Sequence, residues 1–397
     1  MKILSSKQRN AVLTSMAHLI ELERKAILEA NKKDVKTYSG SAVAMYDRLK
    51  VDNSKIEGMI LSLNQLIADV DPLGKELYHF THENGLKITN KTAPFGTVLI
   101  IYESRPDVTV EAAGIAFKSG NKIVLKGGKE AIKSNLKIVE LWHRALAENN
   151  ISTSWVEYLN FNRSETQEFL ENPTQKIDLI VPRGGEKLIA FVKKHAHCPV
   201  IVSGRGNNFI YVDKEANLEV ALKVILNGKT TKISACNAVD KVLIHKNLLK
   251  NTEFVLALIE QLKAFNVQLF GDSQMSKFQD VKAIQNESIW CQEFLDYKIV
   301  LGSVEDIDEA ITKINKYGGG HSAVIMTTNN LTATTFMESV DSAAVYQNAS
   351  TRFTDGGQFG LGGELAISTD KLHHRGPLGL QHLVTNKWYI FGDGQIR

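Results

Sequence analysis

The chain reads as an α/β protein built on parallel sheets. Two observations predict this. From residue 97 onward, short apolar strands alternate with amphipathic helices. A second alternating series of the same kind begins after Cys236. Such alternation indicates parallel strands with helices on both faces of a sheet.

The elements follow in order. Residues 1–70 read as helices, because alanine, leucine and isoleucine recur three and four apart through "QRNAVLTSMAHLIELERKAILEANKKDV". "DPLG" (71–74) is a turn signal. "GLKITNKTAPFG" (85–96) alternates like one arm of a hairpin and stops at Pro94. "TVLIIYES" (97–104) is a strand, and the helix "VTVEAAGIAFKSG" follows and closes on Gly120. "KIVLKGG" (122–128) precedes a helix from Lys129 to about Glu148. "WVEYLN" precedes "RSETQEFLEN", and "IDLIVPRGG" (177–185) precedes "EKLIAFVKKHA". "PVIVSG" and "NFIYVD" read as two further strands. The second series runs "KVLIH", "TEFVLALIEQLKAF", "VQLFG", "IDEAITKINKYG", "HSAVIMTT". A glycine-rich stretch follows, and "TNKWYIFGDG" reads as an aromatic C-terminal strand.

Composition narrows the class. The 397 residues are 43% hydrophobic and 23% charged, enough for a large core in two or three domains. A net charge of +3 is too mild to argue for nucleic acid. Three cysteines, Cys198, Cys236 and Cys291, make no disulfide framework and suggest a reducing compartment. The N-terminus is charged throughout, unlike a signal peptide. No stretch reaches the ~20 apolar residues that span a bilayer. The expectation is a soluble cytoplasmic protein that binds no nucleic acid and no membrane.

Several segments are candidates for chemistry. "GRGNNF" (204–209) half-matches a dinucleotide fingerprint, but its third glycine is missing and a strand follows, so it is set aside. "LKGGKE" and "VPRGGEK" each end a strand and open a helix. Gly184 and Gly185 would turn backbone N–H groups toward a phosphate, and Lys126 could reach ribose hydroxyls or a 2′-phosphate. Tight turns and a solvated lysine explain the same residues, and both readings stand. Cys236 lies among Ser234, Ala235 and Asn237, a loop that favours a reactive thiol over a buried hydrophobe. His195 and His197 with Cys198 lack a second cysteine pair, and His373–His374 are adjacent, so no metal site is expected.

The segments "IYESRPDVTVEAAG", "SGNKIVLKGGKEA", "DLIVPRGGEKL", "NGKTTKISACNAVDKVLIH", "VYQNASTRFTDGGQFGLGGELAISTDKLHHRGPLGL" and "TNKWYIFGDG" resemble the γ-glutamyl phosphate reductases, a branch of the aldehyde dehydrogenase superfamily. The likeness spans almost the whole length. It implies an aldehyde dehydrogenase-like fold of two Rossmann-like α/β domains plus a small β oligomerisation element. Residues 1–80 and 94–230, with about 366–383, would form the nucleotide-binding domain. Residues 231–365 would form the catalytic domain, and 81–93 with 384–397 the oligomerisation element of a homodimer or homotetramer.

The resemblance also implies a reaction and a site. The reaction is NADPH-dependent reduction of γ-glutamyl phosphate to glutamate 5-semialdehyde in proline synthesis. The acyl phosphate would come from a separate glutamate 5-kinase. Cys236 would be the nucleophile, with Asn237 and Asp107 beside it. NADP(H) would meet Lys126, Gly127, Lys129, Arg183, Gly184, Gly185, Glu293 and Phe359. Arg105, Ser350, Thr351 and Arg352 would take the glutamyl carboxylate and the phosphate, unless Arg352 merely pairs with Asp355. The water-activating glutamate of hydrolytic relatives matches a place in "VIVSGRGNNF", which holds no carboxylate. Many relatives have asparagine at Asp107, histidine at Phe209 and an acidic residue at Ala323. Asp107 is expected to cap the helix that follows it, the alternatives being a protonated donor or no part in holding the oxyanion.

Overall fold

The computed structural model describes residues 3–40 and 43–397. Two compact units emerge: Met1–Val202 with Gly360–Ala366 and Leu378–Arg397, and Ser203–Phe359 with Ile367–Pro377. The division at Val202–Ser203 differs from the boundary read at 230–231. The strand and helix before Cys236 belong with the second sheet, because that strand pairs with the one after the cysteine.

The first unit opens with helices α1 (Ser6–Leu22), α2 (Arg24–Thr37), α3 (Val43–Leu49) and α4 (Asn53–Ala68). Ser5 and Gln8 form a capping box that starts α1. Strands β1 (Glu76–Thr81) and β2 (Lys87–Pro94) form a hairpin that starts earlier than the sequence reading placed it. The alternating units follow: β3 (Thr97–Tyr102), α5 (Val108–Lys118), β4 (Lys122–Lys126), α6 (Ile132–Glu148), β5 (Val156–Tyr158), α7 (Arg163–Glu171), β6 (Leu179–Arg183) and α8 (Glu186–His195). Helix α5 ends in a Schellman motif. Gly120 has φ +78°, its N–H donates to Phe117 O, and Asn121 N–H donates to Ala116 O.

The four strands order as β5-β4-β3-β6, all parallel. Alternate residues face opposite layers. Val98 and Ile100 join a core with α1, α4, α5 and α6, while Leu99 and Ile101 join a second core with α7 and α8. Burial on both faces explains the continuous apolar run of β3. "PVIVSG" is not a strand. It makes only isolated bridges, Val200 to Ile180 and Ser203 to Ser368.

The second unit holds β7 (Asn208–Val212), α9 (Leu218–Thr230), β8 (Val239–His245), α10 (Thr252–Ala264), β9 (Gln268–Gly271), β10 (Val281–Ala283), β11 (Lys298–Val304), α11 (Ile307–Tyr317), β12 (Ser322–Met326), α12 (Asn330–Ser339) and β13 (Ala344–Gln347). Seven parallel strands order as β10-β9-β11-β8-β7-β12-β13. Two cores sandwich this sheet.

Strands β14 (Glu364–Ser368) and β15 (Gly376–Gly379) pair with each other. The last strand, β16 (Val384–Phe391), adds to β2 and completes a three-stranded antiparallel sheet. That sheet exposes Tyr78, Phe80, Trp388, Ile390 and Phe391. Among the described residues, no helix is long and apolar enough to cross a membrane.

Candidate active site

Cys236 is exposed, in the turn between α9 and β8. Two asparagines hold that turn. Asn208 Nδ2 donates to Cys236 O and Ala238 O, each at 2.7 Å, while its Oδ1 accepts from Ser322 N–H at 3.0 Å. Asn237 Nδ2 donates to Thr354 O at 3.0 Å and Arg352 O at 3.3 Å, and Thr351 Oγ1 returns a bond to Asn237 O at 2.6 Å. Gly206 backs the loop so closely that a Cβ there would lie 2.0 Å from Cys236 O. The glycine of "GRGNNF" therefore serves close packing, not a phosphate turn.

These bonds correct part of the sequence reading. The Asn237 side-chain amide is engaged on two carbonyls, so it positions the loop and is not a free donor to substrate. Thr351 is fully buried and tied to the same loop. Ser350 is buried, and its hydroxyl accepts from Arg352 N–H at the start of a short turn.

Arg352 behaves differently. Its Nε and Nη1 are buried with no hydrogen-bond partner. Burial presses its pKa down, and the nearby charges of Cys236 and Asp355 oppose that. Asp355 instead accepts from Gly357 and Gln358 N–H, so the structural Arg352–Asp355 pair does not form. Arg352 is a cation beside the thiol. A guanidinium there favours the thiolate.

The segment 204–208 at this loop contains no carboxylate. Asp213 lies at the opposite end of β7, where it accepts from Tyr211 OH and Thr327 Oγ1. Phe209 and Ala323 are fully buried inside the sheet, and Phe209 stacks on Trp290 with centroids 6.4 Å apart. Both are core positions rather than substrate contacts.

A buried polar cluster that the sequence reading missed braces Glu293. Lys241 Nζ donates to Asn207 Oδ1 and Gln292 O, both at 2.8 Å, and lies 4.1 Å from the Phe294 ring centre. Asp240 pairs with Lys229 at 2.8 Å and accepts from Phe294 N–H. Burial brings Lys241 down to about 7, opposed by Asp240 and Glu293. The signal was available: an Asp-Lys pair opens an otherwise apolar strand. Phe359 is exposed at the edge of the second unit.

In the first unit the candidates gather after the carboxyl ends of β3, β4 and β6. Ile101 pairs with Lys126, and Tyr102 with Arg183. Lys126 is half-buried. Its Nζ donates to Gly127 O at 2.9 Å, and burial lowers its pKa against the opposing charge of Glu130. Gly127 is packed so tightly that a Cβ would lie 2.2 Å from Asn135 Nδ2. Lys129 is exposed at the start of the next turn.

Two expectations fail here. Gly185 N–H, read as open to a phosphate, donates to Glu103 Oε2 at 3.1 Å. A Cβ on Gly184 would meet the same carboxylate group at 2.6 Å. These glycines admit Glu103, which occupies the helix N-terminus. Asp107 stands at the N-cap position of α5, but its side chain makes no capping bond, and its backbone is already helical. Its carboxylate pairs with Arg105 at 2.7 Å. Burial raises the Asp107 pKa, but the charge and hydrogen bond of Arg105, helped by Lys55, bring it below the usual value. It is neither a side-chain cap nor a protonated donor.

Among the described residues, no group of three His, Cys, Asp or Glu side chains is placed to hold a metal ion. The sequence profile described as the aldehyde dehydrogenase family matches residues 1–286. A γ-glutamyl phosphate reductase of Clostridium botulinum is 41% identical over 396 residues, covering 99% of this chain and 95% of that one. One from Dictyoglomus thermophilum is 40% identical over 399 residues, covering 100% and 96%. The crystal structure of the γ-glutamyl phosphate reductase of Thermotoga maritima superposes with a TM-score of 0.94 at 40% identity, covering 99% and 95%. An acetylating aldehyde dehydrogenase of Geobacillus thermoglucosidasius shares the fold, with a TM-score of 0.71 at 17% identity. The chain is an enzyme of the aldehyde dehydrogenase family and belongs, within it, to the γ-glutamyl phosphate reductases.

Proposed function

We propose that the chain reduces γ-glutamyl phosphate to glutamate 5-semialdehyde and phosphate with NADPH, through a thioester on Cys236, in proline synthesis. The observation that supports this best is an exposed thiol beside a half-buried arginine whose Nε and Nη1 are buried without hydrogen-bond partners, in a loop lacking any water-activating carboxylate. The Cys236 thiolate attacks the acyl carbon, and the carbon–oxygen bond to phosphate breaks. Arg352 accompanies the leaving phosphate, and its positive charge favours the thiolate. Covalent attachment divides one hard step into easier ones. NADPH, when bound, supplies the hydride that reduces the thioester. The resulting thiohemiacetal collapses to aldehyde and regenerates the thiolate. The backbone N–H groups of Cys236 and Asn237 are the donors suited to the oxyanion.

The residues for the dinucleotide divide on inspection. Lys126 fits, as a half-buried cation at a strand's carboxyl end whose ammonium donates to a single neighbouring carbonyl. Gly127, Lys129 and Arg183 lie around it, and Glu293 is braced for a ribose. The Gly185 amide does not fit a phosphate while Glu103 occupies it. The apolar face of β1, β2 and β16 suits a second copy of the chain, giving a homodimer or homotetramer. A separate glutamate 5-kinase would supply the substrate, and the setting would be the cytoplasm.

The test is NADP⁺ reduction by glutamate 5-semialdehyde with and without inorganic phosphate. The reading expects a rate that rises with phosphate and saturates. Equal rates in both conditions would point instead to a hydrolytic semialdehyde dehydrogenase.

A further inference from the structure

Glu293 lies in a stretch, residues 292–295, that has neither helix nor strand to hold it. Leu295 there takes φ +48°, a left-handed backbone that costs any residue but glycine. Backbone groups in such a stretch must find partners elsewhere. Four side chains supply them. Asn207 Nδ2 donates to Trp290 O at 2.7 Å, Arg205 Nη1 to Cys291 O at 3.0 Å and Lys241 Nζ to Gln292 O at 2.8 Å, while Asp240 Oδ2 accepts from Phe294 N–H at 2.8 Å.

Asp240 and Lys241 are successive residues of β8, and in a regular strand they would face opposite ways. The pairing with β7 slips by one residue here: Asn208 pairs with Val239, but Phe209 with Lys241. Such a bulge re-aims a side chain. Both Asp240 and Lys241 thereby reach the stretch around Glu293. Arg205 and Asn207 alternate with Gly206 and Asn208, which hold the Cys236 loop. One four-residue segment thus braces the nucleophile's loop with its even members and the Glu293 stretch with its odd ones. Lys241 Nζ also donates to Asn207 Oδ1 at 2.8 Å, which ties β8 into the same brace. All of these residues belong to the second unit. Asn207, Asp240 and Lys241 are at most 2% exposed. Apolar side chains would fill such a core as stably, but they could not take up the four backbone groups. The buried polar groups therefore serve the placement of Glu293 more than stability.

We propose that Lys241, Asn207 and Arg205 are positioning residues for the hydride step: they touch no ligand and hold Glu293 in register with Cys236. This rests on the reading that Glu293 meets the cofactor's ribose.

The experiment uses the full-length protein and three readouts. These are NADPH binding by fluorescence titration, alkylation of Cys236 without cofactor, and the rate of NADP⁺ reduction by glutamate 5-semialdehyde in a single turnover. Glu293→Ala is expected to weaken NADPH binding by about tenfold and to slow the single turnover. Lys241→Met, which keeps the length of the side chain and removes its donors, is expected to do the same, with alkylation near wild type. Because Lys241 acts through Glu293, the double variant should bind NADPH about tenfold weaker, like either single change. Independent residues would give about a hundredfold. Melting temperatures check that the variants fold. If Lys241→Met does not fold, Arg205→Met carries the same cycle, since Arg205 is only partly buried and holds the carbonyl two residues before Glu293. Multiplying losses, NADPH binding like wild type, or an equal loss of Cys236 alkylation overturns the proposal. Unchanged binding and turnover in Glu293→Ala overturns the ribose reading, and the proposal with it.

Discussion

The two units place their reactive residues at opposite ends of their strands. In the first, Arg105, Lys126 and Arg183 lie at or just beyond the carboxyl ends of β3, β4 and β6, the usual ligand-facing edge of an open parallel sheet. In the second, Cys236 precedes β8 and so lies at the amino ends. The C-terminal end of α9 leads into the loop, and the negative end of a helix dipole does not stabilise a thiolate. The second unit substitutes side chains. Asn208 holds the loop's carbonyls, Asn237 ties the loop to the carbonyls of Arg352 and Thr354, and Arg352 supplies the charge. A site at the unfavoured end of a sheet thus needs explicit polar bracing, whereas one at the favoured end uses turns.

The largest break in this comparison is Cys236→Ser. It should lower turnover by about 10⁴-fold or more, while NADPH still binds by fluorescence titration, because exchanging sulfur for oxygen leaves the proposed cofactor residues untouched. Cys198→Ser and Cys291→Ser should stay near wild type. Next, Arg352→Lys should slow alkylation of Cys236 at pH 7 by about tenfold and raise KM for phosphate, since lysine cannot reproduce the planar donor fork. An unchanged alkylation rate would remove Arg352 from the thiol's environment. Lys126→Ala should raise KM for NADPH by at least about tenfold and affect NADH less. Equal losses would leave only ribose contact. The smallest effect belongs to Glu103→Ala. It should cost about 1 kcal/mol of stability as a lost helix cap, read in the melting temperature, with KM for NADPH unchanged. A fall in that KM would mean that Glu103 competes with a phosphate at α8.

The fold was legible where burial is two-sided. The runs that became β3, β4, β6 and β8 are apolar because both faces are covered. The start of β1 was not legible, because all six of its residues are exposed and no burial pattern marks it. "PVIVSG" misled because β-branched residues suit strands, yet only Val200 and Ser203 find bridging partners. At the site, Cys236 was readable from residue type and loop context, and Arg352 only through the family resemblance. Asn207, Asn208 and Lys241 were not, because most of their partners lie 28 to 114 residues away. Asp107 looked like a cap because aspartate before a helix usually is one. Its capture by Arg105 depends on how the β3–α5 connection folds back, which spacing does not reveal.

The central claim is that Cys236 is acylated and that phosphate releases the acyl group. Rapid mixing of the enzyme with NADP⁺ and glutamate 5-semialdehyde in the absence of phosphate tests it most directly. The account predicts a burst of NADPH of one equivalent per chain, then a much slower rate that added phosphate restores, and no burst in Cys236→Ser. A burst in Cys236→Ser, or full steady turnover without phosphate, would contradict it.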